Sequence, residues 1–593
     1  MNSLDLVLVN YIHRSDDGKI SQSPQLGLVY LATSAVQAGF GVKILAGDNV
    51  SNDLGSEVKK SKNLLIGFYS NSDNYSNILK LAELCKRIDP DCLVVLGGPL
   101  ASVIDEEMLS NDCIDFVARG DGEELIVELL NAIKHGGDFS SIHGLSFKAA
   151  DAEATGSVFV RNLPRRRLRD LDEIPIPDRS LYPTKEFGIR SFIVSSRGCG
   201  YRCTFCFEST DRKLRSHSAA RVIQEMRLLK EKFETEYFCF VDDIFTSDHR
   251  RVREICNLMI DTFKPNEDFF WYCEGRVDNL TKQPDLLPLM QRAGLNRLQI
   301  GTESGSQEVV DLYRKQIELP QAFEVASQAC EVDLLSVYTN FIIGGAIETK
   351  STFDDTLLMA TQLMQAAPGR LEITSNFLSP YPGTDIYNNP ERYKVRPLGR
   401  INSRPADEQF TTGLSDSYVF VETEALAKDQ LFELRVVFVD VIKREMDQIA
   451  RSMPVALIKR HLEMRRIGLS TFWSDFLLQD RILRSWFRFS GVSHYSCESP
   501  EFNSFNPRFT FPVRTIDLRQ CIAGRFIWKL RGLRIDFSRQ ELFLVEQASG
   551  KNSLDEIVTR YVNEFSLATS PSSVLIDVQN FYGEMAGQLL LVY

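Results

Sequence analysis

The sequence predicts an α/β chain: two successive parallel-sheet units followed by a largely helical C-terminal part. Three observations predict it. Short uninterrupted apolar runs, such as Leu6-Val7-Leu8-Val9 and Cys92-Leu93-Val94-Val95-Leu96, alternate with helical stretches over residues 1 to about 150, the pattern of strands buried on both faces. The alternation restarts at Phe192 and continues to about 390, and beyond 411 the apolar spacing turns helical. A chain of 593 residues also exceeds what one core holds, so several domains are expected.

Composition excludes several function classes. Hydrophobic content of 44% with 25% charged residues is that of an ordinary globular protein. A net charge of -12 argues against a nucleic-acid binder, which needs a basic footprint. No apolar run approaches the roughly 18 residues of a membrane span, and Met1-Asn2-Ser3-Leu4-Asp5 lacks the basic start of a signal peptide. A cytoplasmic protein without membrane or nucleic-acid partners is expected. The 12 cysteines are dilute, and nine of them (85, 92, 113, 239, 256, 273, 330, 497, 521) read as buried small hydrophobes in a reducing compartment.

In the first unit, strands are expected at 6–9, 42–45, 64–68, 92–96 and 116–118, with helices over 27–37, ended by Gly39, and 74–88. The turns at 70–71, 97–102 and 119–123 follow strands, are rich in Gly and Ser, and fall where open α/β sheets bind ligands. Residues 151–185 carry Arg161, Arg165, Arg166, Arg167 and Arg169 before a proline-containing stretch, Leu171 to Arg179. They read as a linker, although an arginine run can also grip a phosphate or an acidic partner. In the second unit, strands at 192–195, 237–241, 269–274, 297–300, 336–343 and 371–377 make six βα units, a partial (β/α)6 barrel. Functional groups belong at the C-terminal ends of such strands. Asp242-Asp243, Glu274 with Arg276, and Gly301-Thr302-Glu303-Ser304-Gly305 stand there.

The centre of the chain is Cys199, Cys203 and Cys206, at C-x3-C-x2-C spacing directly after the first of these strands. Three thiolates on one tight loop can hold three irons of a [4Fe–4S] cluster and leave the fourth open. Ferredoxin clusters and structural zinc sites close with four ligands, and no second C-x2-C pair lies nearby. The alternative is three structural cysteines in a reduced protein. The loop, with aromatic Phe205 before its third cysteine, resembles the radical S-adenosylmethionine (radical SAM) superfamily. The resemblance implies that SAM chelates the open iron, and that Cys199, Cys203 and Cys206 are both metal ligands and catalytic. It further implies that Glu303, with Ser304, contacts the SAM amino or ribose group, and that Asp243 and Arg276 share that pocket. A carboxylate facing an ammonium and a guanidinium facing a carboxylate suit the methionyl zwitterion; each residue alone reads equally as a barrel-rim ion pair. Gly344-Gly345-Ala346-Ile347-Glu348-Thr349 stands where the family has G-x-P-x-E-T, without the proline, and Tyr381-Pro382-Gly383-Thr384 matches its late P-G-T turn.

Upstream, Pro24-Gln25-Leu26-Gly27-Leu28, Leu96-Gly97-Gly98-Pro99 with Ser102, and Arg119-Gly120-Asp121-Gly122-Glu123 resemble, in order and spacing, the cobalamin-binding domain ahead of many radical SAM cores. The implied cobalamin contacts are Ser70, Asn71, Gly97, Gly98, Pro99, Ser102, Gly120 and Glu123. The D-x-H-x-x-G motif is absent, since His13 is followed by Arg14-Ser15-Asp16-Asp17-Gly18. The resemblance therefore implies base-off cobalamin without a histidine ligand, and a relic domain that binds no corrinoid stays open. Leu171 to Arg179 resembles the family's bridge between the two domains.

Beyond 411, helical stretches are expected at 422–451, 453–466 and 470–488, with Trp473 and Trp486 in a core or lining a substrate cavity. Runs at 521–529 and 533–537 precede a helix capped by Ser538 (539–548, stopped by Gly550), a second capped by Ser553, a third at 573–583 and a strand at 588–592. This order is a winged helix, similar to PqqD-type elements that bind a precursor's leader peptide as an added strand; a purely structural cap is the other reading. The expected domains are a Rossmann-like cobalamin-binding unit at 1–150, a linker at 151–185, the radical SAM core at 186–410, a helical region at 411–505 and the winged helix at 506–593.

Together these imply a cobalamin-dependent radical SAM methyltransferase acting on an unactivated carbon of a natural-product intermediate, either a small molecule or a precursor peptide. The cluster, reduced by a flavodoxin- or ferredoxin-type donor, would cleave SAM. The 5′-deoxyadenosyl radical would take a hydrogen from substrate, and methylcobalamin would deliver the methyl group. A non-methylating cyclisation, oxidation or rearrangement uses the same cofactors and stays open, as does a non-catalytic cobalamin- or peptide-binding sensor.

Overall fold

The computed structural model describes residues 4–11, 25–150 apart from Asp48, Lys62 and Asp73, then 157–183, 190–207, 212–399, 418–466 and 471–479; in the C-terminal part it describes 512–514, 521–522, 525–528, 533–549, 551–566, 571–587 and 591–592. His13, Pro24, Trp486 and Gly550 lie outside the described residues.

Strands β1 (Leu6–Asn10), β2 (Val42–Ala46), β3 (Leu65–Tyr69), β4 (Leu93–Gly97) and β5 (Phe116–Ala118) are parallel in the order β2-β1-β3-β4-β5. Along β1, Leu6 and Leu8 enter one apolar cluster and Val7 and Val9 enter another. Layers of side chains on both faces are why these strands read as unbroken apolar runs. Two antiparallel strands extend the sheet, β6 (Leu145–Ala150) and β7 (Ser157–Arg161). The first unit therefore runs past the expected boundary at 150, because β7 pairs along β6.

The stretch read as a linker is tied down. Leu171, Ile174 and Tyr182 are buried, and the Asp178 N–H donates to Thr33 Oγ1 at 2.9 Å. Arg179, 2% exposed, donates to the Pro177 and Phe192 carbonyls, each at 2.8 Å, and lies 2.5 Å from Glu225. Arg161 pairs with Asp105 at 3.0 Å, and Arg165 pairs with Glu124 at 2.9 Å and with Glu128. Arg161 and Arg165 thus face acids of their own chain.

The second sheet contains β8 (Arg190–Ile193), then, after the short antiparallel ladder of β9 (Ser196–Arg197) and β10 (Arg215–Ser216), β11 (Tyr237–Phe240), β12 (Phe270–Gly275), β13 (Leu295–Glu303), β14 (Ser336–Ile343) and β15 (Leu371–Phe377). Its strands lie in chain order, all parallel, with β8 and β15 at the two edges. Helices Ala219–Phe233, His249–Thr262, Leu286–Arg292, Pro320–Glu331 and Lys350–Ala366 connect them. This is the expected open (β/α)6 barrel.

Polar side chains on alternate positions meet across β12 to β15. Arg297 pairs with Glu372 at 2.7 Å, and Glu372 also accepts from Ser336. Nearer the C-terminal ends, Tyr272 donates to Gln299 at 2.6 Å and Tyr338 meets Thr374 at 2.8 Å. The opposite end is closed by helices Val455–Arg466 and Phe472–Gln479. The Phe472 N–H donates to Glu372 at 3.1 Å, and its ring meets Tyr338 edge-on at 5.7 Å. Trp473 is fully buried and donates to the Leu371 carbonyl at 2.9 Å. Of the two readings of Trp473, the core is the correct one.

Two expectations after the barrel are corrected. The helix expected over 422–451 is Lys428–Ser452; Val421–Thr423 is instead a strand antiparallel to Val395–Pro397. In the C-terminal part, Cys521–Ile522, Arg525–Trp528 and Leu533–Asp536 form an antiparallel meander ahead of helices Arg539–Gln547, Leu554–Glu564 and Pro571–Gly587. Ser538 with Glu541, and Ser553 with Glu556, form the expected caps as reciprocal boxes. The terminal strand Leu591–Val592 pairs with Val513–Arg514, not with the meander. Among the described residues, no helix is long and apolar enough to cross a membrane.

Candidate active site

The loop that carries the three cysteines is fixed from both sides. Before it, buried Asp242 accepts from the Ser195 N–H at 2.6 Å, the Ser195 hydroxyl at 2.5 Å and the Ser196 hydroxyl at 2.7 Å, with Arg251 at 3.4 Å. Gly198 turns the chain at φ +93°, a conformation that favours glycine, and its N–H donates to Asp243 at 3.0 Å. On the far side, the Thr204 N–H donates to the Tyr313 carbonyl at 3.0 Å and the Thr204 carbonyl accepts from Ile386 at 3.1 Å. Phe205 meets Tyr313 edge-on at 4.9 Å.

Cys199 and Cys203 are half-buried and Cys206 is exposed. Burial pushes the Cys199 thiol up, and Asp243 and Cys203 add to it. Crowding by protein around its recess, then Cys203 and Cys199, push Cys206 up to about 12. The thiols thus sit near enough to oppose one another's ionisation, a repulsion that bound metal reverses. No three His, Cys, Asp or Glu groups among the described residues surround a single-ion site. A cluster asks for a different arrangement, since each thiolate takes its own iron.

The residues expected around SAM divide. Glu303 ends β13 at φ +67°, after a register shift between Gly301 and Glu303. Its carboxylate lies 2.5 Å from Lys315 Nζ, and a Cβ on Gly301 would collide with both groups. Lys315 also lies 5.8 Å from the Phe205 ring centre; no local spacing marked it in the sequence. Arg276 is buried and already partnered. Its Nε donates to Asp278 at 2.9 Å, its Nη2 donates to the Lys315 carbonyl, and its guanidinium stacks 3.6 Å from the Tyr201 ring centre. These contacts brace the cysteine loop and keep Arg276, like Asp243, close to Cys199. Ser304 meets Thr356 at 3.2 Å and accepts from the Ser306 N–H at 3.1 Å. Burial, with Asp243 nearby, pushes the Glu274 carboxyl up to about 7. Burial also pushes Glu348 up to about 7, against the Gly344 and Gly345 N–H bonds that favour its ionised form.

The turns after β3, β4 and β5 make the second candidate cradle. Ser70 donates to the Gly97 carbonyl through its N–H at 2.7 Å and its hydroxyl at 2.9 Å. Gly98 is at φ +99°, and a Cβ there would stand 2.7 Å from Ser70 O. Asn71 and Asn74 exchange N–H to side-chain bonds at 2.9 and 3.0 Å. Pro99 leads into the short 3-10 turn Leu100–Ser102. Gly120, at φ +86°, faces open space. Glu123 begins helix Glu123–His135 and lies 2.5 Å from Arg197; its Oε2 is buried without a partner. Side-chain-free shelves beside a buried acceptor that lacks a donor suit a broad, amide-bearing corrinoid.

Comparison with known proteins agrees. Residues 193–360 match the Radical SAM superfamily and residues 21–130 match the B12 binding domain. The chain is 31% identical over 378 residues to "Uncharacterized methyltransferase PH0819" of Pyrococcus horikoshii, covering 61% of this chain and 78% of that protein. The chain belongs to the radical SAM superfamily. It is also 25% identical over 356 residues to "Anaerobic magnesium-protoporphyrin IX monomethyl ester cyclase" of Rubrivivax gelatinosus, covering 57% of this chain and 62% of that protein. The solved structure of the cobalamin-dependent S-adenosylmethionine radical enzyme OxsB shares the fold, with a TM-score of 0.60, 13% identity and coverage of 98% of this chain and 84% of that one. This is a radical SAM enzyme, with a [4Fe–4S] cluster and SAM as cofactors and a B12-binding N-terminal domain.

Proposed function

We propose that the protein is a cobalamin-dependent methyltransferase that methylates an unactivated carbon of a natural-product substrate, a small molecule or a precursor peptide. The observation that carries this reading is the junction of the two cradles. The cysteine loop and the turn after β5 touch through Arg197 and Glu123, so groups held at each would face a shared space. The name of the Pyrococcus horikoshii relative, a methyltransferase, supports methyl transfer. When bound, the cluster supplies the electron that cleaves SAM, and the corrinoid supplies the methyl group.

The chain's own residues then have definite tasks. Cys199, Cys203 and Cys206 hold the cluster. Glu303, offset by Lys315, offers the carboxylate for the SAM amino or ribose group, with Asp243 beside it. Arg276 and Tyr201 brace the loop, and Ser304 holds helix Lys350–Ala366. Ser70, Asn71, Gly97, Gly98, Pro99, Ser102 and Gly120 shape the corrinoid shelf. The barrel keeps water out and fixes substrate near the reacting groups. We assign the corrinoid domain to residues up to Arg161, the bridge to 162–189, the barrel to 190–399 and the recognition region to the remainder. There the winged-helix-like helices and meander would present a leader peptide. The reductant is a flavodoxin- or ferredoxin-type protein, and the setting is the cytosol.

A second reading, ring closure without methyl transfer, is favoured by the cyclase name of the Rubrivivax gelatinosus relative. One experiment separates the two. The chain is reconstituted anaerobically with iron, sulfide and hydroxocobalamin, desalted, and assayed for SAM products. A retained corrinoid band with both 5′-deoxyadenosine and S-adenosylhomocysteine is expected. 5′-Deoxyadenosine alone, from protein that retains no corrinoid, would refute the methyltransferase.

A further inference from the structure

A charged contact joins the cysteine loop to the N-terminal sheet. Arg197 closes β9 and is followed directly by Gly198 and Cys199; across the ladder it stands opposite Arg215 on β10. Both side chains reach the turn after β5. Arg197 Nη2 lies 2.5 Å from Glu123 Oε1 and its Nη1 lies 3.4 Å from Asp121. Arg215 donates to Asp121 at 2.7 Å and to the Leu168 carbonyl at 3.1 Å. The Tyr30 ring centre is 5.2 Å from the Arg197 guanidinium. None of these four charged side chains is more than 16% exposed. Burial pulls Arg197 down, and Glu123 and Asp121 more than reverse it. Burial pushes Asp121 up, and Arg215 and Arg197 outweigh that.

Four charges taken out of water at a boundary between two sheets contribute little net stability. What a planar fork between carboxylates supplies is a fixed orientation. In the same turn Gly120 faces free space, and the second oxygen of the Glu123 carboxylate, Oε2, is buried without a partner. One oxygen of Glu123 grips the cysteine loop through Arg197, and the other has no donor. We propose that Arg197 is a positioning residue that couples corrinoid occupancy at the turn after β5 to the geometry of the cluster loop. The inference rests on the corrinoid reading of the N-terminal domain. A donor at Glu123 Oε2 fixes the carboxylate, the carboxylate fixes Arg197, and the next two residues are Gly198 and Cys199.

The test uses the full chain stripped of iron and follows iodoacetamide alkylation of Cys199 by mass spectrometry, with and without hydroxocobalamin. Corrinoid retention is read in parallel from the absorbance left after gel filtration. In the unsubstituted chain, corrinoid is expected to slow Cys199 alkylation by about fivefold or more, the lower end of ordinary site-to-site coupling. Arg197→Gln is expected to retain corrinoid yet lose the slowing, and Arg197→Lys to recover part of it. Arg165→Gln, which breaks pairs within the N-terminal domain, keeps the slowing in full. Slowing that survives in Arg197→Gln, or no slowing in an unsubstituted chain that holds corrinoid, overturns the coupling alone. An unsubstituted chain that holds no corrinoid overturns the reading beneath it. If Arg197→Gln does not fold, Glu123→Gln must show the same loss at saturating hydroxocobalamin, and slowing that persists there overturns the proposal.

Discussion

Gly98 and Gly120 offer a matched pair that separates backbone strain from steric collision. Both have positive φ, +99° and +86°, so alanine at either meets a left-handed cost of about 1–2 kcal/mol. Their surroundings differ. A Cβ on Gly98 would stand 2.7 Å from Ser70 O and 3.1 Å from Ser70 N, whereas one on Gly120 would meet nothing within 4 Å. Ser70 cannot yield cheaply, because its N–H and hydroxyl both hold the Gly97 carbonyl. Forcing a methyl into such a site adds about 1–3 kcal/mol. Gly98→Ala should therefore destabilise the N-terminal domain by about 2–5 kcal/mol and Gly120→Ala by about 1–2 kcal/mol. The assay is urea unfolding of the apoprotein, read by circular dichroism, followed by spectrophotometric titration with hydroxocobalamin. Displacing the shelf by even 1.4 kcal/mol would weaken corrinoid binding about tenfold. Equal unfolding midpoints for the two variants would refute the argument that Ser70 is rigid.

Two further outcomes follow from buried carboxylates. Glu348 holds its proton in the folded chain up to about 7, against an ordinary 4.5, so the folded state binds more protons than the unfolded one across that window. Its contribution to stability is intact below about 4.5 and is lost as pH rises through 7, by at most about 3 kcal/mol. Relative to the unsubstituted chain, Glu348→Gln should gain melting temperature between pH 5 and pH 8; parallel pH profiles would count against it. Asp242→Asn removes a charge that faces Arg251 and leaves one acceptor oxygen for four donors. A loss of about 3–5 kcal/mol is expected, with poor iron retention in reconstitution, and a variant within 1 kcal/mol of the parent would contradict it.

The strands of both sheets were legible because each is short, apolar and flanked by turn residues, and the cysteine spacing was legible because it is local. What stayed hidden depends on distant partners. The β6 and β7 extension is less continuously apolar, and only the pairing of Phe147 with Val160 and its neighbours reveals it. Val421–Thr423 reads as the start of a helix until Val395–Pro397 arrives beside it. Glu303 was named from its motif, but nothing within a few residues indicates that Lys315 neutralises it. Arg276 and Ser304 were also named from sequence, yet Tyr201, Asp278 and Thr356 occupy them. A motif shows which residue types stand together; it does not show which are already engaged.

The plugged floor of the barrel has a consequence for traffic. With Trp473 and Phe472 seated beneath the strands and Glu372 bonded to the Phe472 backbone, the described residues cover that end of the barrel. The ways left to the cysteine loop are the rim that carries it and the open side between the edge strands β8 and β15. Admission and exit are thereby confined to one half of the barrel, the half where the strands end and the cysteine loop stands.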